Sequence, residues 1–245
     1  MNRRAWLKSS VALAVTLAAT SASANGLSIN EQSASGMGTG FAGRSSAAED
    51  ASTLFGNPAG MSRLDRTEVS GGFATIFAST DIDDAQGFAS GTNKGDMVPT
   101  ATIPFAYLVT PLNDRWQAGI GVYAPFGVIS DYEKGFQGRS HGLYSMVQVV
   151  TLQPTLSYQV NDRVSVGFGP TINRISGKLT SQPLAALGSD AKVNIKGDDT
   201  GYGFNAGVLV QVTDQVRWGL TYHSAIDFCL EGRTRFSGFN PQIGP

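Results

Sequence analysis

Apolar and polar residues alternate along several long stretches of this chain. Between Val150 and Val160 the even-numbered positions carry Val, Leu, Pro, Leu, Tyr and Val, and the odd-numbered positions between them are Thr, Gln or Ser. Even-numbered apolar positions return within residues 202–212 and 216–228. Successive side chains of a strand point to opposite faces, so each stretch has one apolar and one polar face. The pattern predicts antiparallel strands that face lipid on one side and water on the other.

The first 24 residues are typical of a secretory signal peptide. A positively charged start (Arg3, Arg4, Lys8) precedes the apolar core of residues 11–19, and Ala22-Ser23-Ala24 fits a cleavage site. Export followed by alternating strands indicates a transmembrane β-barrel of the bacterial outer membrane.

Composition excludes several other classes of protein. Lys and Arg number 18 against 19 Asp and Glu, for a net charge of -1, so no basic excess would attract nucleic acid. Charged residues make up 15% of the chain, below the roughly 25% of a soluble domain. With two histidines, one cysteine (Cys229) and no hydrolase or phosphate-binding motif, the sequence predicts no catalytic residue, metal site or cofactor.

The alternation predicts seven strands. Short connections (111–115, 161–162, 213–215) alternate with long ones (81–98, 125–144, 180–200), as periplasmic turns alternate with extracellular loops. A change of phase near Asn173 predicts a β-bulge. The strands are expected near residues 67–79, 99–110, 116–124, 145–160, 163–179, 201–212 and from 216 to as far as 236.

An odd number of strands does not close a barrel of this kind. Residues 239–245 have the composition of a loop, so residues 66–245 are expected to form part of a larger barrel. If the chain is complete, either the count of seven strands is wrong or several copies complete one another. Aromatic residues near the short turns predict a periplasmic girdle, although each would also suit the core of a soluble sandwich. They are Tyr107, Trp116, Tyr158 and Trp218.

Residues 25–65 differ from the strands because they are rich in Gly, Ala and Ser and show no alternation. Composition leaves two interpretations open, a disordered amino terminus or a compact plug (hatch) inside the barrel. The segment contains Asn57-Pro58-Ala59-Gly60 immediately before the first strand.

With these motifs the chain resembles the FadL family of outer-membrane transporters for long-chain fatty acids and other hydrophobic compounds. The likeness covers the family's amino-terminal half, from Asn25 to about Phe236. It is carried by Gly36-Met37-Gly38, the residues 47–53 (Ala-Ala-Glu-Asp-Ala-Ser-Thr), Asn57-Pro58-Ala59-Gly60, Gln153-Pro154-Thr155-Leu156-Ser157-Tyr158 and Gly201-Tyr202-Gly203-Phe204-Asn205-Ala206-Gly207.

The resemblance implies a barrel closed by the hatch, passive uptake of an apolar ligand, and sideways exit at a kinked third strand. Carried over, the hatch residues are Asn57, Pro58 and Ala59, and the third strand is Trp116 to Ala124, where Gly119, Gly121 and nearby Pro125 would permit a bend. The partners expected are a hydrophobic ligand and outer-membrane lipid, and no oligomer is implied. Apolar residues of the loop 125–144 are candidates for ligand capture, with ordinary loop packing as the alternative: Phe126, Val128, Phe136, Leu143 and Tyr144.

Other functions remain open from the sequence. After transport of hydrophobic compounds, the next candidate function is a general porin for small polar solutes. A surface esterase using Ser140 and His141, or a purely structural or adhesive barrel, are further alternatives. His223 falls on the polar face of the seventh strand with several arginines, where it is either solvated or helps to receive an anionic head group.

Overall fold

The computed structural model describes residues 28–83, 87, 89–189 and 191–238. The predicted signal peptide, residues 1–24, and residues 239–245 lie outside these ranges. In the described part, one antiparallel sheet of eight strands follows chain order from β1 to β7, and β8 also pairs with β6. The strands are β1 Glu68–Ile76, β2 Ala101–Pro111, β3 Trp116–Asp131, β4 Tyr144–Gln159, β5 Val164–Ser181, β6 Lys192–Thr213, β7 Val216–His223 and β8 Glu231–Ser237.

Residues 28–65, the amino-terminal segment, pack on one face of this sheet, which we call the inner face. The segment contains short helices: α1 (Ala34–Gly38), α2 (Thr53–Gly56) and a 3-10 helix (Pro58–Arg63). A second 3-10 helix, Ala185–Leu187, lies between β5 and β6. No helix in the described residues has the length and apolarity needed to cross a membrane.

The two faces of β4 confirm the alternation predicted from the sequence. Thr151, Gln153 and Ser157 are buried on the inner face. Leu152 and Leu156 are exposed on the opposite, outer face. This division is expected for strands whose outer face contacts lipid and whose inner face packs against polar groups.

Strand β2 departs from this rule. Its apolar side chains Phe105, Tyr107 and Val109 are buried on the inner face, in one cluster with Leu54 and Met61 of the amino-terminal segment. Tyr107 therefore does not belong to the predicted aromatic girdle. The other three girdle residues lie on the outer face near the short turns, where the Trp116 and Tyr158 rings are 4.7 Å apart and Trp218 is exposed.

Two strands are longer than predicted. β3 continues to Asp131 and β6 begins at Lys192, so much of the expected loops 125–144 and 180–200 is strand. Polar and charged residues of β6, such as Lys196 and Asp198, resembled a loop in the sequence but pair regularly with β5.

The bulge predicted near Asn173 is wrong. β5 keeps one register with both neighbours through this residue. The alternation changes phase because, from Arg174 onward, polar residues lie on the outer face and apolar residues on the inner face. No residue is inserted into the strand. Register shifts lie elsewhere: one in β3 between Tyr123 and Phe126, and one in β6 between Gln211 and Thr213.

The seventh predicted strand is divided. β7 and β8 pair with the same edge of β6, and residues 224–230 leave the ladder between them. Ile226 and Phe228 were expected to continue the apolar outer face, but they turn inward and cover Gly201 and Gly203. A Cβ atom on Gly201 would lie 2.6 Å from Ile226, so the glycines make room for this turn.

Candidate ligand pocket beside the amino-terminal segment

Asn57 joins the amino-terminal segment to the sheet. Its side chain is fully buried, and its Nδ2 donates to the carbonyls of Ser45 (2.6 Å) and Val208 (3.0 Å). Its Oδ1 accepts the Ala59 amide (3.0 Å) and so caps the 3-10 helix that Pro58 begins. One side chain therefore holds the segment's own fold and its contact with β6.

The carbonyl of Ala59 is a second anchor. It accepts from Ser165 Oγ of β5 (2.9 Å), Ser157 Oγ of β4 (3.4 Å) and Ser62 Oγ (2.9 Å). Small serines are needed at these wall positions because the backbone of the segment lies close to the strands.

Glycines of the wall permit this close approach. Gly167 of β5 lies directly under the backbone of Pro58 and Ala59, and Gly207 of β6 lies under the Asn57 side chain. A Cβ atom at either position would overlap these groups. The Asn-Pro-Ala motif thus packs against β4, β5 and β6.

Gly119 and Gly121 of β3 contact another part of the segment. Cβ atoms there would lie 2.7 Å and 3.0 Å from Leu54. The structure therefore places these glycines beside the segment, but beside Leu54 and Met61 rather than beside Asn57, Pro58 and Ala59.

The bend of β3 lies farther along the strand, at Ala124 and Pro125. These two residues drop out of the ladder with β4, and residues 28–32 take up their carbonyls. The Ile29 amide donates to Pro125 O (2.8 Å), and Gln32 Nε2 donates to Ala124 O (2.6 Å).

Strands β2 and β3 are also unpaired at the level of this bend. β2 pairs with β3 only from Ala106, opposite Val122, to Pro111. Residues 101–105 of β2 pair with β1 but not with β3. A gap between β2 and β3 therefore begins where β3 bends.

A pocket of about 790 Å³ lies on the inner face next to this bend. It is bounded by the amino-terminal segment, by β3 to β6, and by the inward turn of residues 224–230. Its lining is mainly apolar and includes Phe55, Pro125, Phe126, Val128, Val147, Val149, Ile175, Ile226 and Phe228.

Two basic side chains, Arg44 and His223, also line the pocket. The Arg44 guanidinium lies over the Phe55 ring (5.3 Å to its centroid) and donates to the Asn30 carbonyl (2.9 Å). Burial lowers the pKa of Arg44, and nearby Tyr107 and Glu31 oppose this shift. Among the described residues no carboxylate lies within 4.0 Å of Arg44, so its charge is available to an anionic group in the pocket.

The candidate capture residues are dispersed. Phe126 and Val128 line the pocket from β3 rather than from a loop. Phe136 stacks on Tyr132 (4.3 Å between centroids), and Leu143 is buried immediately before β4. Tyr144 lies on the outer face, where the Lys178 ammonium sits 4.4 Å from its ring.

Sequence reasoning missed several pocket residues. Arg44 lies in a Gly- and Ser-rich stretch without periodicity, so no pattern marked it. His223, for which the sequence leaves open either solvation or binding of an anionic head group, lines the pocket with its ring 5.6 Å from that of Phe55. Ser140 and His141 are in hydrogen-bonding contact (3.1 Å), but they lie in the loop between β3 and β4, outside this lining.

An apolar surface continues above the pocket toward the long loops. From Ile175 onward the inner face of β5 and β6 carries Leu179, Val193 and Ile195, and Phe236 of β8 is paired with Val193. Leu179 and Ile195 are 47% and 45% exposed, so this surface is open to a ligand.

The antiparallel half-barrel with an apolar outer face and a packed inner segment defines the class, a β-barrel protein of the bacterial outer membrane. The family model described as outer membrane protein transport protein (OMPP1/FadL/TodX) matches residues 15–243. The chain belongs to this family of transporters and channels.

The chain is similar to curated relatives over most of its own length. It is 30% identical to the long-chain fatty acid transport protein of Escherichia coli O6:H1 strain CFT073, an alignment that covers 97% of this chain and 58% of that protein. It is 30% identical to outer membrane protein P1 of Haemophilus influenzae strain Rd, covering 94% of this chain and 60% of that protein.

The fold of this chain is also similar to those of solved structures. A Pseudomonas aeruginosa FadL homologue matches with a TM-score of 0.64 and 26% identity, over 82% of this chain and 53% of that one. The toluene transporter TbuX of Ralstonia pickettii shows the same fold (TM-score 0.62, 18% identity), over 79% of this chain and 57% of TbuX. The chain thus spans between 53% and 60% of the length of these relatives and structures.

Proposed function

We propose that the barrel to which this chain contributes takes up long-chain fatty acids or other hydrophobic compounds passively across the outer membrane. The observation that carries the proposal is the pocket of about 790 Å³, apolar over most of its lining and bordered by Arg44 and His223. Relatives named for fatty acid and toluene transport support the same substrate class.

Burial of apolar surface drives binding in this proposal. Each methylene group that moves from water into the pocket contributes about 0.8 kcal/mol, so no external energy source is required for capture. Arg44 holds the carboxylate of a fatty acid, because a charge-assisted hydrogen bond to a partly buried guanidinium is stronger than one to water. A neutral hydrocarbon uses the apolar lining alone.

The ligand enters from the long-loop side. The exposed inner face at Leu179 and Ile195 receives it first, and Ile175 joins this surface to the pocket. Phe126 and Val128 contact it deeper in the barrel.

The ligand leaves sideways through the gap between β2 and β3. In this proposal residues 28–32 are the movable part, because they hold the bent strand through a few hydrogen bonds at Ala124 and Pro125. Asn57, Pro58 and Ala59 keep the rest of the hatch fixed against β4 to β6, and Gly119 and Gly121 let Leu54 close the wall below the gap.

A general polar porin fits these observations less well. The amino-terminal segment covers the inner face of β3 to β6 with buried, hydrogen-bonded contacts. An open porin would conduct ions steadily in a planar bilayer, whereas the proposed transporter should pass little current.

Replacing Arg44 in the full-length protein tests the proposal. Arg44→Gln should lower the initial rate of oleate uptake about tenfold or more, since a hydrogen bond to a charged group contributes about 1.5–3 kcal/mol. Toluene uptake by the same cells should change less than about twofold. Arg44→Lys should restore part of the oleate rate.

The matched control is Arg66→Gln, which removes an exposed arginine whose ion pair within the described residues is with Glu68, 3.3 Å away. Folding of each variant is checked by its heat-dependent shift on a gel. Equal oleate uptake by folded Arg44→Gln and Arg66→Gln proteins would reject Arg44 as the carboxylate partner. If a folded Arg44→Gln protein takes up neither oleate nor toluene, Arg44 does not act on the carboxylate alone, and the proposed roles of Arg44 and the apolar lining are rejected.

A further inference from the structure

A basic concavity lies on the outer face of the sheet, just above the apolar belt. It is formed by β5, β6 and β8 and encloses about 960 Å³. Five cationic side chains line it: Arg174, Lys178, Lys196, Arg233 and Arg235. The pocket described above lies on the opposite face, so the two do not overlap.

The strand register fixes which way these side chains point. Paired residues of antiparallel strands share a face, and Lys178 pairs with Lys196, which pairs in turn with Arg233. The same face carries Ile172 and Tyr202 two residues below Arg174 and Thr200. The cations therefore continue the lipid-facing surface directly, beginning at the next outward position above the last apolar pair.

Acidic groups do not neutralise this surface. Arg174 forms an ion pair with Asp198, and Glu231 lies opposite Asp198. Asp199 also borders the concavity, but its carboxylate accepts the Cys229 amide (2.7 Å). Five cations thus face two outward carboxylates, and no carboxylate among the described residues lies within 4.0 Å of Lys178, Lys196 or Arg233.

Such a row is unfavourable without a counter-anion. Like charges directly opposite each other on neighbouring strands destabilise a sheet, and here three stand side by side. A bound anion with several negative groups would reverse the sign of these interactions.

The height of the cluster identifies the anion. Lys178 lies six positions beyond Ile172, which is about 20 Å along the strand and roughly 15 Å along the membrane normal for a tilted strand. Because the apolar outer face ends at the Ile172–Tyr202 pair, Arg174 is expected at the edge of the hydrocarbon layer and the lysine row above it. These are the levels of the phosphate groups of lipopolysaccharide, the glycolipid of the outer leaflet.

We propose that this concavity binds the phosphorylated head group of one lipopolysaccharide molecule. Arg174 and Lys178 contact the phosphates nearest the acyl chains, and Lys196, Arg233 and Arg235 contact those higher in the sugar core. The acyl chains then lie along the apolar outer face of β4 to β6.

The test measures lipopolysaccharide retained by the full-length barrel after extraction in mild detergent, by native mass spectrometry. Lys178→Gln, Lys196→Gln and Arg233→Gln together should reduce retention about 100-fold, since each cation at an anionic surface contributes close to a factor of five. The matched control removes three exposed cations elsewhere, by Arg115→Gln, Lys134→Gln and Arg163→Gln, and should retain the lipid as the parent does.

A second variant should act in the opposite direction. Asp198→Asn with Glu231→Gln removes the two outward carboxylates and should raise retention several-fold. Enzymatically dephosphorylated lipopolysaccharide should bind the parent as weakly as it binds the triple variant.

Three results would overturn the proposal. One is equal retention by the triple variant and its control in folded proteins. Another is lower retention when the carboxylates are removed. The third is displacement of the lipid by inorganic phosphate at equal concentration, which would identify free phosphate as the anion.

Discussion

The β5–β6 hairpin keeps one register from its lower part, up to Asn173, to its upper part, from Arg174 onward, but the polarity of its two faces is reversed between them. Up to Asn173, apolar side chains such as Phe168 point outward and polar ones such as Ser165 point inward, onto the amino-terminal segment. From Arg174 upward, charged residues point outward and Leu179 and Ile195 point inward.

The alternation therefore depends on the solvent that each face of the sheet meets. In the lower part lipid lies outside, and the inner face is filled by polar contacts with the segment. In the upper part water and lipid head groups lie outside, and an apolar ligand is expected inside. The backbone is the same in both parts, so residue chemistry alone marks the membrane boundary.

The largest effect should follow from a charge on the lower outer face. Phe168→Arg should lower the free energy of unfolding by about 2–4 kcal/mol, because a guanidinium near the bilayer midplane loses its hydration. Equilibrium unfolding of the full-length barrel in lipid vesicles measures this loss.

Ser176→Arg is the control on the same strand and face, eight residues higher and opposite Asp198. It should change the unfolding free energy by less than about 1 kcal/mol. Equal losses of unfolding free energy for the two variants would mean that Arg174 does not mark a boundary between lipid and water.

A methyl group on the lower inner face should have the next largest effect. Gly167→Ala places a Cβ atom against the backbone of Pro58 and Ala59, and overpacking of this kind costs about 1–3 kcal/mol. Hydrogen exchange should show faster exchange in residues 57–64. Gly142→Ala is the control, since a Cβ atom there meets nothing within 4 Å. Unchanged exchange in Gly167→Ala would mean that the segment does not dock as described.

Loss of the Asn57 anchor should have an effect of similar size. Asn57→Ala with Pro58→Ala removes hydrogen bonds to Ser45, Val208 and Ala59, at about 0.5–1.5 kcal/mol each. The full-length double variant should still assemble, with lower uptake of oleate because the hatch is misplaced. Unchanged oleate uptake by a folded variant would mean that the Asn-Pro-Ala motif is not needed for transport.

The smallest effect should come from the upper inner face. Leu179→Ser and Ile195→Ser each remove exposed apolar surface, so the apparent affinity for oleate should fall by about two- to fivefold without loss of stability. Initial rates over a range of oleate concentrations measure this change. Thr180→Ser, on the opposite face of β5, should leave the affinity unchanged. If it lowers the affinity equally, capture does not depend on the inner face.

The lower part of the sheet could be predicted from the sequence, whereas the upper part could not. The predicted strand 145–160 matches β4 almost to the residue, because one face of it meets lipid and the other meets polar groups. Lys192 to Thr200 were predicted as loop, since charged residues that face water on a strand are locally indistinguishable from a polar loop.

The candidate site was predictable only in part. Phe126 and Val128 were recognised as candidates and do line the pocket. Ile226 and Phe228 were assigned to the wrong face, because their even spacing continues that of β7 and nothing local marks the departure from the ladder. Arg44 reaches the pocket only through the packing of the segment, which short-range patterns do not encode.

Passage of ligand through the pocket is tested by photo-crosslinking of the full-length protein with a fatty acid that carries a diazirine on its alkyl chain. Peptides that contain Phe126, Val149 and residues 226–228 should be labelled, and excess unlabelled oleate should remove that label. Labelling confined to outer-face residues such as Leu156 and Phe168, or inner labelling that oleate does not reduce, would contradict the proposed route through the pocket.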